Sequence, residues 1–160
     1  MVATYPAAMF VPASFEPPAG LVTDAFVLVP LGPEHNARDY DAWASSVPHI
    51  HATPGFDDRG EDSWPHPMTL EENLADLEMH ARHFRTRDGF TYTVLDPTDD
   101  EVLGCVYIYP DRAGDADAHV RSWVRSTRDE LDRPLWLAVR AWLASDAWPF
   151  AHVRYASRDA

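Results

Sequence analysis

The side chains best suited to moving a proton are His119, which opens the run AHVRSWVR, and Tyr107 and Tyr109 in EVLGCVYIYP. Imidazole titrates near neutrality, which makes His119 a candidate base. Tyr107 and Tyr109 alternate with Val106 and Ile108, so they share one face of an extended run, either as packing or as ligand contacts and proton donors. Residues 48–68, PHIHATPGFDDRGEDSWPHPM, place Asp57, Asp58, Glu61 and Asp62 near Trp64. Carboxylates beside an indole can attract and enclose a cationic amine, and equally form a solvated acidic loop. His49, His51 and His66 in the same stretch are zinc-ligand types, but their spacing matches no recognised pair of ligand pairs and no metal is expected. Cys105 alternates within an apolar run, as a small buried thiol does. The chain has no G-x-S-x-G elbow, phosphate-binding P-loop or dinucleotide glycine motif.

The elements that must position these groups fit one domain. The chain has 160 residues, 46% of them hydrophobic and six of them Trp, enough for a sizeable core. Its 13 basic and 26 acidic residues leave a net charge of −13, which opposes nucleic acid and anionic membrane surfaces and suits a cationic ligand. A single cysteine excludes an intrachain disulfide, so a reducing cytoplasm is expected. Residues 1–24 lack a basic leader and are broken by Pro6, Pro12, Pro17 and Pro18. They read as an extended arm, packed by Tyr5, Phe10 and Phe15, and not as a signal peptide or membrane span.

From residue 25 a single domain follows. AFVLVPL reads as a strand; Gly32 and Pro33 start a helix with Ala37, Tyr40 and Ala44 on its apolar face, which Pro48 stops. After the irregular loop, Thr69 and Glu72 form a capping box for a helix that carries Leu70, Leu74, Leu77, Ala81 and Phe84 on one face and stops at Gly89. FTYTVLD and EVLGCVYIYP read as an antiparallel hairpin, with Gly104 marking a bulge or a close approach by another backbone. AHVRSWVR is a further strand. Leu135, Ala138, Val139, Trp142 and Leu143 then follow helical spacing, and FAHVRYAS closes as a short strand.

This order resembles the GNAT superfamily of N-acetyltransferases, an α/β (α+β) fold with a mixed, mostly antiparallel sheet, a splayed central strand pair and flanking helices. EVLGCVYIYP is similar to that family's central strand, with its V-x-G-x-V/I pattern, and AHVRSWVR to the strand that pairs with the pantetheine arm of acetyl coenzyme A (acetyl-CoA). The resemblance implies acetyl-CoA as acyl donor, contacts from Trp123, Val124 and Arg125, an amine of a small molecule or peptide as acceptor, and a carbonyl-polarising amide near Tyr107 and Tyr109. Where the family has Q/R-x-x-G-x-G/A, this chain has RDELDR, residues 128–133, so pyrophosphate would have to be held by Arg125, Arg128 and Arg133 against Asp129, Glu130 and Asp132. Alternatively Thr127 and Glu130 only cap a helix whose start is kinked near Asp132 by Pro134. The family usually continues into another helix and strand, and no counterpart of its acid Tyr follows Tyr155. These departures keep open a non-catalytic binding module, with an exposed sheet edge that a homodimer could cover.

Overall fold

A computed structural model describes residues 9–60 and 62–159. One sheet of six strands runs in sequence order: β1 (Leu21–Val22), β2 (Val27–Pro30), β3 (Phe90–Leu95), β4 (Val102–Tyr109), β5 (Ala118–Val124) and β6 (Val153–Tyr155). All neighbours are antiparallel except β5 and β6, which are parallel because a helix crosses between them. That helix is α4 (Asp132–Leu143). Helices α1 (Asn36–Ala44), α2 (Val47–His51) and α3 (Leu70–Thr86) fill the connection between β2 and β3. The fold is thus the expected mixed, mostly antiparallel α/β sheet with helices around it. Two buried clusters lie on its two faces. Leu135, Val139 and Leu143 of α4 pack with Val106, Ile108 and Val120 on one, while Trp43 of α1 and Leu77 of α3 meet Cys105 and Trp123 on the other.

Several local expectations change. The buried face of α1 is Asp39, Ala42 and Trp43, not Ala37, Tyr40 and Ala44, because the bulk of Trp43 turns the helix. Pro48 lies in the first turn of α2, where a missing N–H costs nothing, so residues 48–68 are less irregular than their composition suggests. The Thr69–Glu72 capping box is present with both bonds near 3 Å, 3.0 Å to Thr69 Oγ1 and 2.9 Å back to Glu72 Oε1. Helix α3 ends at Arg87, which takes the left-handed conformation (φ 64°), and Gly89 serves a different need: a Cβ there would run into the Tyr109 ring. Gly104 does both things expected of it, since a Cβ would meet the backbone of Trp123 and the β3–β4 register shifts beside it.

The arm contributes β1 through Leu21 and Val22; Phe10 stacks on Phe90 and Phe15 meets it edge to face, at 5.8 Å and 6.0 Å between ring centres. Tyr5 lies outside the described residues. No helix among the described residues is long and apolar enough to cross a membrane.

Candidate active site

The strand that carries Cys105, Tyr107 and Tyr109 is paired on both sides. Its register with β5 is continuous from Gly104↔Val124 to Tyr109↔His119, and with β3 it reaches Phe90↔Ile108. The divergence expected beside this strand therefore lies one strand further on, and Gly104–Ile108 offers no free backbone edge for polarising a carbonyl. Between β5 and β6 pairing ends at Val120↔Tyr155, so residues 121–124 have no strand partner on that side.

The open segment is filled from within. Arg158 donates from Nη2 to the carbonyl of Ser122 at 2.7 Å and from Nη1 to that of Ala156 at 2.9 Å. Its Nε donates to Asp132 Oδ2, 3.0 Å away, at the first residue of α4. The guanidinium is nearly out of solvent, with 3% side-chain exposure. The turn before α4 is a 3-10 helix, Ser126–Leu131, with a kink at Arg128 and no side-chain cap, so the Thr127–Glu130 box does not form. Glu130 instead accepts from Arg128 Nε at 3.0 Å. Every arginine expected to hold a phosphate has a carboxylate already: Arg125 pairs with Asp41 and Glu101, Arg128 with Glu130 and Asp96, and Arg133 with Asp159. The strand edge suits a pantetheine-like amide chain once Arg158 leaves, whereas the turn holds an anion only by exchanging these pairs. Trp123 and Val124 have buried side chains, and because Arg125 N–H donates to the Leu103 carbonyl at 2.7 Å the backbone groups of Trp123 and Arg125 face β4, leaving those of Ser122 and Val124 on the open side.

On the other side of the sheet a cavity of about 790 Å³ lies over Tyr107 and Tyr109, walled by α1, α3 and the loop after α2. A second of about 610 Å³ shares Arg59, His83, Tyr107, Tyr109, Arg112 and Arg121 with it and continues to His119 and Arg154. Asp39 is only 4% exposed, yet lines the larger cavity. Asn73 Nδ2 donates to its Oδ2 at 3.1 Å, and Asn73 is itself fixed by Trp43 Nε1 and Asn36 Oδ1. Among the described residues nothing donates to Asp39 Oδ1. Burial pushes this carboxyl up to about 6, only partly offset by the Asn73 bond.

The Tyr109 hydroxyl lies 2.8 Å from His80 Nδ1 and 3.0 Å from His83 Nδ1, with Thr91 Oγ1 3.1 Å from His80. Burial, aided by His83, lowers His80 to about 4, so its ring is neutral at pH 7. The Tyr107 hydroxyl accepts from Trp123 Nε1 at 3.0 Å, and burial raises both tyrosines above their ordinary values. Burial with Arg121 and Arg154 nearby lowers His119 to about 4, and Arg154 donates to its Nδ1 at 3.0 Å. His119 is therefore a neutral ring with its proton on Nε2, held in place by a guanidinium that is itself paired with Asp111.

The loop brings the opposite charge to the one its composition suggests. Asp57 and Asp58 are exposed and do not line the cavity, and Glu61 lies outside the described residues. Trp64 does line it, tilted against Trp43 and Trp123 and edge to face with Tyr107, while Arg59 supplies the loop's charged group. His49, His51 and His66 do not converge: His51 Nε2 lies 2.7 Å from the Pro65 carbonyl, His66 Nδ1 3.2 Å from that of Pro67, and His49 faces Asp129. Sequence reasoning missed Asp39, Asn73, His80, Arg59 and Arg158. The one readable signal was Asp39, four residues before Trp43 and so on the face that the indole had to bury.

No family model and no curated protein matches the chain. Solved structures do. A protein of Bordetella pertussis assigned to the GnaT-family acetyltransferases is 18% identical, with TM-score 0.54 over 79% of this chain and 70% of its own. Ribosomal-protein-S5-alanine acetyltransferase from Vibrio fischeri is 12% identical, with TM-score 0.58 over 78% of this chain and 66% of its own. The microcin C7 self-immunity acetyltransferase MccE, solved with acetyl-CoA and AMP, is 12% identical, with TM-score 0.57 over 79% and 65%. The fold is the GNAT-superfamily fold, and the chain spans about two thirds of the length of these structures.

Proposed function

We propose that the chain is an acyltransferase that moves an acetyl group from acetyl-CoA to an amine of a small molecule or peptide. The observation that carries this reading is the cavity over β4 and β5, into which a buried carboxylate with one free oxygen, Asp39, faces. Acetyl-CoA supplies a thioester: as the amine nitrogen bonds to its carbonyl carbon, the C–S bond breaks and sulfur leaves with the electron pair. The chain's own groups handle the protons. Asp39 attracts the ammonium form and takes the proton that the nitrogen must lose, directly or through one water; with a carboxyl near 6 it is ionised at neutral pH yet a workable base. Asp39 takes this role in place of His119, whose Nδ1 is committed to Arg154. Tyr107 and Tyr109 keep their protons through the neutral range and are the donors for the leaving sulfur. Backbone groups of Ser122 and Val124 offer the strand edge for the donor's amide arm, since those of Trp123 and Arg125 point to β4, and Arg158 must first give up the Ser122 carbonyl. Cytoplasmic residence agrees with the lone buried cysteine.

The test is thiol release from acetyl-CoA with a panel of primary amines, with the acetylated product identified by mass spectrometry. The expected result is amine-dependent turnover, with kcat/KM reduced about 100-fold or more in Asp39→Asn. Turnover that is unchanged in Asp39→Asn would remove its role as base.

A second reading, a binding or dimerisation module without acyl transfer, is favoured by the Arg158–Asp132 pair in the strand gap and by the paired arginines around the turn. It predicts that Arg158→Ala still takes up no acetyl-CoA.

A further inference from the structure

We propose that the ligand of this cavity is a bifunctional amine, its ammonium held by Asp39 and an anionic group, carboxylate or phosphate, held by Arg59, Arg112 and Arg121. The inference deepens the acceptor-site reading above and rests on it. The cavity has two walls of opposite charge. Where α1 meets α3, Asp39, Glu72 and Asp76 line it; on β5 and the flanking loops, Arg59, Arg112 and Arg121 do. Arg121 stands opposite Tyr107 in the β4–β5 register, so the tyrosine pair lies between the walls.

The three guanidiniums are set apart by what they lack and where they lie. Arg87, Arg125, Arg128, Arg133, Arg154 and Arg158 each pair with a carboxylate. Among the described residues Arg59, Arg112 and Arg121 pair with none, in a chain holding twice as many acidic as basic side chains. Arg38, Arg82, Arg85 and Arg140 also pair with no carboxylate among the described residues, but of the unpaired guanidiniums only Arg59, Arg112 and Arg121 line this cavity. Among the described residues Arg59 only stacks on Phe56, 5.8 Å from the ring centre, and Arg121 uses Nε on the Gly55 carbonyl at 2.9 Å, with no partner there for its terminal nitrogens. Their crowding is felt: burial first, then Arg59, Arg154 and Arg112, weaken the hold of Arg121 on its proton, with only the exposed Asp58 opposing. An anion bridging these forks would relieve that repulsion and accept bidentate bonds, which a plain alkylamine cannot do. Asp39 is the second, independent mark of a ligand, a buried carboxylate with a free oxygen in the same space. A volume of about 790 Å³ leaves room for a small molecule carrying both charges.

The experiment is calorimetric titration of the full chain, without acetyl-CoA, with butylamine, butyrate, 4-aminobutyrate, 6-aminohexanoate and 3-aminopropyl phosphate. At least one bifunctional probe should bind about tenfold or more tighter than both monofunctional ones, and the stronger of the carboxylate and phosphate probes identifies the anion. The advantage should vanish in Arg59→Gln/Arg112→Gln, whose two sites are exposed loop positions without ion pairs, and Asp39→Asn should weaken every amine probe. Butylamine binding as tightly as the bifunctional probes would overturn the inference. So would an advantage that survives the double variant, or no binding of any probe at roughly 10 mM. Because acetyl-CoA is absent, bifunctional binding without later acetyl transfer would remove the enzyme reading and leave this one, whereas acetylation of plain amines without preference would do the reverse.

Discussion

A buried carboxyl group with one oxygen bonded and the other facing a cavity, as in Asp39, is costly to ionise, and that cost is measurable. Its folded value near 6 lies above the ordinary 3.8, so the folded state binds the proton more tightly. The stability this gives is complete below pH 3.8 and is lost as pH rises through 6. Asp39→Asn keeps an acceptor for Asn73 and removes the charge. The variant should therefore match the parent near pH 4 and exceed it by roughly 2 kcal/mol above pH 6, while losing activity. Urea titrations of both proteins from pH 4 to pH 8 would check this, and a constant difference would contradict it. His80 works in the opposite direction, since its value is lowered from 6.5 to about 4 and stability is lost as pH falls through that window. Of these two groups His80 was the less legible in the sequence. Asp39 looks like a surface residue of an amphipathic helix until Trp43 is known to point inward, and His80 meets Tyr109 only through the packing of α3 on β3 and β4.

At the scale of elements, strand order, the hairpin and α4 were readable because alternation and helical spacing leave few alternatives. The position of the strand divergence was not, since it depends on β6, whose three residues stop pairing at Tyr155. Arg158 could not be placed in that gap by pattern, because its partners Ser122 and Asp132 are distant in sequence. Arg158→Ala should cost roughly 1–3 kcal/mol of stability by leaving Asp132 and the Ser122 carbonyl unpaired, yet raise acetyl-CoA affinity about tenfold or more, because the edge no longer has to be vacated. Affinity that falls in this variant would mean that the guanidinium holds the ligand and does not block it. Gly104→Ala tests the sheet itself. Its Cβ would meet the Trp123 carbonyl, and a loss of about 2 kcal/mol or more is expected by denaturant titration.

For the whole molecule, a net charge of −13 repels a polyanion such as acetyl-CoA, and the arginines nearest the turn are already neutralised by carboxylates. Salt should then tighten binding, because it shortens the range of that repulsion from about 20 Å at 0.02 M to about 7 Å at 0.2 M. A dissociation constant several-fold lower at the higher ionic strength is expected, the reverse of a site built on exposed arginines. The overall charge and the fold class were plain from composition and element order, whereas the local reversal of sign at Arg59, Arg112 and Arg121 emerges only when loop and strand meet around one cavity. The central proposal is that the β5 edge holds an acetyl donor beside an acceptor amine in this cavity. Calorimetric titration of acetyl-CoA into the unaltered chain tests it most directly: saturable heat at one site per chain is predicted, and no heat at millimolar acetyl-CoA would contradict it.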